Sequence, residues 1–365
     1  MIVYIFVILL AGVGYVSLLS KYAILWSDIS DTEALSEGKY LVSILIPFRN
    51  EEGNVHHLIR DLENLEIGNS DVQVVFVNDH STDRGAEIVT SYQGKLDVEC
   101  VLNTGVGKKA AIKCGWEACT GDIIIQTDAD CRLSSTWLLA MLNPFQEDRI
   151  SLACGPVKFS PASNFWQHIV SLDFAGLIAI GAAHIRWRMP MICNAANLAY
   201  RRPLIANVDL NESAASGDDI FLLQSAYHAN PGGIAFVKNK LAIVTTDGPS
   251  SFRAFWNQRL RWASKNGEYD IATNRWILIA VWLYNVLILT SLLSFSAIGC
   301  TAAAFLVILK VLAEDRFYSK FVDFFDISFW FTNILLGQPF HILYMALIPP
   351  LSQVLKYQWK ERKQR

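Results

Sequence analysis

The sequence has no CxxC pair, no Lys/Arg cluster interleaved with aromatics in its middle, no internal repeat and no low-complexity stretch. Each absence removes a class of protein. The seven cysteines (Cys100, Cys114, Cys119, Cys131, Cys154, Cys193 and Cys300) are scattered, so neither a disulfide framework nor a zinc site is expected. Reduced thiols facing a cytosol fit best. With 31 Lys and Arg against 34 Asp and Glu, and a net charge of -3, the chain offers no basic field for nucleic acid, which is not an expected partner.

Charge is sparse, at 18%, and apolar residues are plentiful, at 52% of 365. The chain can fill the core of one sizeable soluble domain and still have apolar residues left for membrane segments. Residues 2–19 are apolar and uncharged, with Lys21 just after them, and predict a transmembrane anchor over 1–20. A cleaved signal peptide would want a basic start and a small-residue cleavage site, and neither is present. Residues 276–312 are too long for one crossing and adequate for two, with Ser294 near the turn; 327–351 form a further apolar run broken by Gly337, Pro339, Pro349 and Pro350. The C-terminal membrane region thus covers 276–351 in two or three segments, and a basic tail covers 352–365. The count conflicts with the tail: three crossings after the anchor carry its Lys and Arg residues to the side opposite the central domain, whereas positive charge favours the cytosol.

Between about 40 and 250 the texture changes to short β-rich runs alternating with helical stretches, the pattern of an α/β domain with a mainly parallel sheet. Strands are expected at 41–46, closed by Pro47, at 72–77, ending in Asn78 and Asp79, and at 123–126. A helix over 54–65 carries the apolar stripe Val55, Leu58, Ile59 and Leu62. The third strand, in GDIIIQTDADC, delivers Asp128 and Asp130 at its C-terminal end, and ligands of open α/β sheets bind beyond such ends. Hard divalent cations take carboxylate oxygens together with substrate phosphates. An isolated DxD is more often a pair of solvated turn residues, so the rest of the chain must decide.

Six further elements accompany it: PFRNE at 47–51, Asp79 in VNDHSTD, Lys108 in NTGVGKKAAIKCGWEACTGD, Asn197 in NAANLAYRR, Asp218 and Asp219 in SGDDIFL, and QRLRW at 258–262. In this order and spacing they resemble the membrane-embedded family 2 glycosyltransferases, the group that contains cellulose, chitin and hyaluronan synthases. The resemblance covers roughly 40–264. It implies a GT-A nucleotide-sugar-binding fold and a single inverting displacement at the anomeric carbon by an acceptor hydroxyl. Asp130, with Asp128, would hold Mg²⁺ or Mn²⁺ on the diphosphate. Pro47, Asn50, Glu51 and Asp79 would line the nucleoside pocket, and Lys108, with Lys109 as its rival, would meet phosphate. The general base maps onto Asp219, second of the pair with Asp218; the alternative is that both carboxylates cap a helix starting at Ile220. Gln258 and Arg261 would contact the diphosphate, Trp262 would floor the acceptor site, and Asn197 would border it. Residues 251–270 also read as an interfacial amphipathic helix, or as a helix packed on the core with a solvated basic face.

The expected function is metal-dependent transfer of a sugar, from UDP-Glc or UDP-GlcNAc, to a lipid or lipid-linked acceptor at the cytosolic face of a bacterial inner membrane. A processive β-glycan synthase, with an export partner subunit, is the first alternative. A catalytically silent nucleotide-sugar-binding subunit is the second. The segment between Cys154 and Pro190 is short, and few membrane segments follow the domain, which weighs against a polysaccharide channel. His56, His57 and His80 lack ligand spacing, and the stretch 184–190 (HIRWRMP) reads as an exposed basic loop.

Overall fold

The computed structural model describes residues 1–208, 217–265, 269–328 and 331–355, with the strand segments 357–359 and 362–364. It divides into two compact units: one of Ile29–Ser160 and His184–Asp247, the other of Met1–Asp28, Pro161–Ala183 and Gly248–Arg365. The chain opens with α1 (Ile2–Ser27), part of the second unit.

The first unit is an α/β domain. Its elements run β1 (Leu41–Phe48), α2 (Glu52–Glu63), β2 (Asp71–Asn78), α3 (Gly85–Thr90), β3 (Asp97–Leu102), α4 (Lys108–Ala118), β4 (Ile123–Gln126), α5 (Trp137–Leu142), β5 (Leu152–Cys154) and β6 (Val157–Phe159). After α6 (Phe165–Arg186) come β7 (Leu198–Arg201), α7 (Asp218–Ala229), β8 (Ile234–Phe236) and β9 (Val244–Thr246). Seven strands form one sheet in the order β3-β2-β1-β4-β7-β5-β8; β7 runs antiparallel to both of its neighbours and the other pairings are parallel. The chain builds outward from β1 through β2 to β3, then returns to place β4 on the other side of β1. That reversal leaves a crevice beyond the C-terminal ends of β1 and β4, where such sheets take ligands.

Pro47 shows how closely the strands fit this plan. The Leu45 carbonyl accepts from Thr127 N at 3.1 Å, so Leu45 and, two residues on, Pro47 turn their backbone groups toward β4. Pairing with β4 ends at Leu45 with Gln126, so the N–H that proline lacks costs no ladder bond. The core on one side of the sheet joins Leu45, Val75, Val77, Ile124, Leu152, Leu198 and Tyr200 to Ala111 and Ile112 of α4 and Leu222, Leu223 and Ala226 of α7. The cysteines are all free, as expected of reduced thiols, and burial pushes the Cys119 thiol up to about 12.

The second unit gathers α1, the part of α6 up to Ala183, α8 (Phe252–Ala263), α9 (Ala272–Leu293), α10 (Ala297–Tyr318), the short α11 (Val322–Phe325) and α12 (Phe331–Ser352). The antiparallel hairpin of β10 (Tyr357–Trp359) and β11 (Arg362–Gln364) follows; residues 356, 360, 361 and 365 of the basic tail lie outside the described residues. Among the described residues α1, α6, α9, α10 and α12 are long and apolar enough to cross a membrane, by length and composition. The apolar run 276–312 does divide into two helices, broken at 294–296.

Buried positions of α1 recur as Ile8, Gly12, Tyr15, Leu19, Tyr22 and Trp26, alternating steps of four and three residues. That is the 3.5-residue period of a helix seam rather than of a loose anchor. Gly12 permits the close approach to α10: a Cβ there would stand 2.7 Å from Leu309 Cδ1. Lower down, the Tyr15 ring stacks on Tyr284 of α9 at 4.2 Å and Trp26 Nε1 donates to the Lys320 carbonyl at 2.9 Å.

Most of the segment between Cys154 and Pro190 is α6, and 72% of its most apolar stretch is buried. One sequence expectation, the exposed basic loop at 184–190, is corrected here. Within 184–190 His184 is fully buried, bonded through Nδ1 to the Met189 carbonyl at 2.9 Å, while Arg186 and Arg188 are exposed.

Candidate active site

The ends of β1, β2 and β4 and the starts of α4 and α7 bring the polar residues of the first unit together. Asp79, just past β2, is 2% exposed. Its Oδ1 accepts from Asn103 Nδ2 at 2.8 Å and from Gly107 N at 2.9 Å. Asp79 therefore fixes the loop 103–107, whose last residue, Gly107, sits at φ 95 as the N-cap of α4. A side chain would be strained there. The loop ends on an eleven-residue helix whose N-terminal N–H groups suit an anion.

Asn50 has a left-handed backbone at φ 52. Its Oδ1 accepts from Thr82 N at 2.8 Å and its own N–H donates to Ser81 Oγ at 3.1 Å. Arg49 Nη1 adds hydrogen bonds to the Asp79 and His80 carbonyls at 2.8 and 2.9 Å, so the loops after β1 and β2 are tied together. Glu51 is buried at the N-cap of α2 and accepts from Asn54 Nδ2 at 2.7 Å.

At the centre lies Lys108, the first residue of α4. Its Nζ meets Asp128 Oδ1 at 2.6 Å, with side-chain exposures of 22% and 31%. Burial works against the ammonium, but Asp128, then Asp218 and Asp219, outweigh it and hold its pKa above the ordinary lysine value. One lysine thus joins the DxD to the Asp-Asp pair. Lys109 does not compete for this place, because its ammonium lies over the Phe221 ring of α7 at 4.6 Å. Lys108 pairs with Asp128, and Asp218 bonds to Gln126 two residues before Asp128, so carboxylates outnumber ammonium groups at this strand end, with Asp130 two residues beyond Asp128. A hard divalent ion sharing its shell with diphosphate oxygens fits that donor set, although no group of three or more His, Cys, Asp or Glu side chains forms a closed metal cage among the described residues.

The Asp-Asp pair opens α7, so the helix begins at Asp218 rather than at Ile220. Its N-cap is Gly217, φ 108, and no side chain caps it from there. Asp218 is 4% exposed and its Oδ2 accepts from Gln126 Nε2 at 3.2 Å. Asp219 is half-buried and its Oδ1 accepts from Ile220 N at 2.9 Å. Gln126 is a participant that sequence reasoning missed; the signal was a polar residue closing an otherwise apolar strand.

Asn197 is a correction. It is fully buried, its Oδ1 accepts from Trp137 Nε1 at 3.0 Å, and its Nδ2 donates to the Pro156 and Ala242 carbonyls, both at 2.8 Å. A fully buried amide with three partners inside the protein is a structural post rather than a border of the acceptor site.

Gln258, Arg261 and Trp262 lie on α8, in the second unit, and all three are half-buried. The basic face expected of this helix is not all solvated: Arg259 is 4% exposed and ion-paired with Asp173 of α6, while Phe255 is fully buried against Phe340 and Tyr344 of α12.

A mainly parallel sheet with its ligand crevice at the β1/β4 reversal, an acidic cluster there and a glycine loop feeding a helix N-terminus define the GT-A class of nucleotide-sugar domains. Residues 43–207 match the family model described as Glycosyl transferase family 2. The probable glycosyltransferase YdaM of Bacillus subtilis is 26% identical over 239 residues, 62% of this chain and 55% of the relative. The beta-monoglucosyldiacylglycerol synthase of a Nostoc species is 31% identical over 257 residues, 65% of this chain and 51% of the relative. The chain thus spans about half the length of these curated relatives. Among solved structures, the mannosyltransferase PcManGT of Pyrobaculum calidifontis, in complex with GDP-Man and Mn²⁺, shares the fold: TM-score 0.54 at 15% identity, covering 96% of this chain and 94% of that one.

Proposed function

We propose that the chain is a membrane-bound, inverting hexosyltransferase that moves a sugar from a nucleotide sugar, UDP-Glc or UDP-GlcNAc, to a hydroxyl of a lipid or lipid-linked acceptor at the cytosolic face of the membrane. The observation that carries this reading is the Lys108–Asp128 ion pair at the sheet's reversal point, with Asp218 tied to Gln126 at the end of the same strand. Such a cluster suits a leaving diphosphate at one edge and a hydroxyl to be deprotonated at the other.

In this reading Asp128 and Asp130 hold Mg²⁺ or Mn²⁺, which supplies charge neutralisation for the departing nucleoside diphosphate. Lys108 and the N-terminus of α4 meet phosphate oxygens. Pro47, Asn50, Glu51 and Asp79 shape the nucleoside pocket, the last by fixing the glycine loop. Asp219 is the general base because it is the more exposed member of its pair, whereas Asp218 is buried and held by Gln126. Gln258 and Arg261 add donors for the diphosphate, and Trp262 offers an aromatic face to the acceptor. A lipid acceptor is favoured by the apolar helices and by a relative whose name assigns it a diacylglycerol product.

The test is release of UDP from a panel of UDP-sugars by the purified protein in detergent, with Mn²⁺, Mg²⁺ or chelator, with and without a membrane lipid extract. The reading expects release that needs metal and extract, with labelled sugar in the lipid phase. It also expects Asp219→Asn to keep donor affinity while losing about 10² to 10⁴ in turnover. Label entering a polymer without added lipid would establish the glycan synthase instead. No release from any donor would leave the silent subunit.

A further inference from the structure

The second unit buries a chain of ionisable side chains separate from the carboxylate cluster. Lys310 and Glu314, one turn apart on α10, form an ion pair with side-chain exposures of 0% and 4%. Glu314 accepts from the Tyr15 hydroxyl of α1 at 2.9 Å and from Gln338 of α12, while Lys310 Nζ meets His341 Nδ1 at 2.8 Å. His341 Nε2 lies 3.8 Å from Asp173 of α6. The Asp173 carboxylate takes the Tyr344 hydroxyl on Oδ1 and the Arg259 guanidinium on Oδ2. Beyond Arg259 the contacts become aromatic. Its guanidinium carbon stands 4.4 Å from the Trp262 ring centroid and 4.8 Å from that of Phe255, and Trp262 stacks at 5.8 Å on Phe174, the neighbour of Asp173.

As a stabilising device this arrangement is poor. Buried ion pairs scarcely repay their desolvation, and apolar replacements of the same volume are often neutral or better. Ionisable side chains inside an apolar bundle are, for that reason, functional until shown otherwise. What the geometry does is fix one guanidinium, held by Asp173 on one side and laid against an indole on the other. Arg259 is the second residue of QRLRW, and Gln258, Arg261 and Trp262 are the ones given roles above.

We propose that Asp173 is a positioning residue for acceptor use: acting through Arg259, it holds the Trp262 indole in the orientation that receives the acceptor. The inference rests on the reading of Trp262 as the acceptor floor. It predicts a split between acceptor and donor kinetics, because Asp173 touches neither substrate.

The experiment uses the full chain in detergent with the UDP-sugar and lipid that support turnover, and compares Asp173→Asn, Arg259→Lys, Tyr344→Phe and Trp262→Ala. Arg259→Lys keeps the charge on Asp173 and loses the planar contact with the indole, so it serves where Asp173→Asn fails to fold. Asp173→Asn and Arg259→Lys are each expected to raise the acceptor KM about tenfold, with donor KM and metal-dependent hydrolysis of the donor in the absence of acceptor nearly unchanged. Tyr344→Phe, which leaves the ion pair in place, is expected to move the same constant less. Parallel loss of donor hydrolysis and transfer at unchanged acceptor KM would mean a purely structural role and overturn the proposal. If Trp262→Ala raises the acceptor KM but Asp173→Asn and Arg259→Lys do not, positioning alone fails. If Trp262→Ala changes nothing, the reading of Trp262 fails and takes this proposal with it.

Discussion

Lys108 is the residue on which the acidic cluster depends, and its state can be followed with pH. Its folded-state pKa is raised, so the stability that its pairing contributes is fully present below the ordinary lysine pKa and is lost only as the solution passes through the raised value. Across neutral pH the ammonium is therefore constant. Removing it in Lys108→Met forfeits a charge-assisted hydrogen bond, on the order of 1.5 to 3 kcal/mol, which predicts a rise of roughly ten- to a hundredfold in donor KM. Steady-state kinetics from pH 5.5 to 9 check this. The shape of the profile should be the same in both proteins, and an acid or alkaline limb that disappears in Lys108→Met would show that Lys108 titrates in that range. At this scale the sequence was legible in placing acidic residues at the ends of strands, as with Asp79 and Asp128. It was illegible where two neighbours share a type. Lys108 and Lys109 differ only in the direction their helix gives them, toward Asp128 in one case and over Phe221 in the other. Asn197 misled for a related reason, since a polar residue in a promising motif looks the same from sequence whether its amide faces solvent or three buried partners.

At the scale of elements, α12 shows how an apolar helix tolerates three internal prolines. Pro350 has no N–H to offer the Ala346 carbonyl one turn back, and Trp282 Nε1 of α9 donates to that carbonyl at 3.0 Å instead. The pairing predicts a coupling. Trp282→Phe should destabilise the folded protein by about 1 kcal/mol, and in a Pro350→Ala background, where the helix can close its own bond, the same substitution should cost clearly less. Thermal unfolding in detergent of the two singles and the double closes the cycle, and equal costs in both backgrounds would show that the Trp282 bond contributes nothing. The same helix read from sequence was only an interrupted apolar run, because proline marks a lost bond and not the neighbour that replaces it. Other elements escaped for different reasons. The strand β3 alternates acidic and apolar residues at the sheet's edge and lacks the continuous apolar run that marked β1 and β4. The helix α6 is apolar nearly all round and lies in a stretch that carries no motif, so nothing announced its length. In α1 the 3.5-residue seam is hidden because its exposed positions are as apolar as its buried ones.

For the molecule as a whole, the composition already implied that apolar residues exceed what a soluble core needs, and the division of 365 residues into an α/β unit and a helical unit accounts for the surplus. Burial bears on which helices cross. Of the five helices long and apolar enough to cross among the described residues, α6 has 72% of its apolar stretch buried against 22% to 39% for the others, which predicts that α6 packs inside the protein and that the crossings are α1, α9, α10 and α12. Four crossings place the turn at Phe295 and the end of α12 on one face, and the end of α10 on the other. Positive charge gives mixed advice: Arg316 and Lys320 favour a cytosolic end for α10, which agrees, while the basic tail favours a cytosolic end for α12, which does not. An apolar helix of 22 residues is about 33 Å long, enough to span the hydrocarbon core, and a few tail charges are the smaller effect. In a background with the three cysteines that are not buried, Cys100, Cys193 and Cys300, replaced by Ser, one cysteine introduced at a time at the exposed positions Phe295, Ser319 and Gln353 should report this with a membrane-impermeant thiol reagent on sealed vesicles. Phe295→Cys and Gln353→Cys should label from one side and Ser319→Cys from the other. If Gln353→Cys instead labels together with Ser319→Cys, α12 does not complete its crossing, and the basic tail has decided the topology.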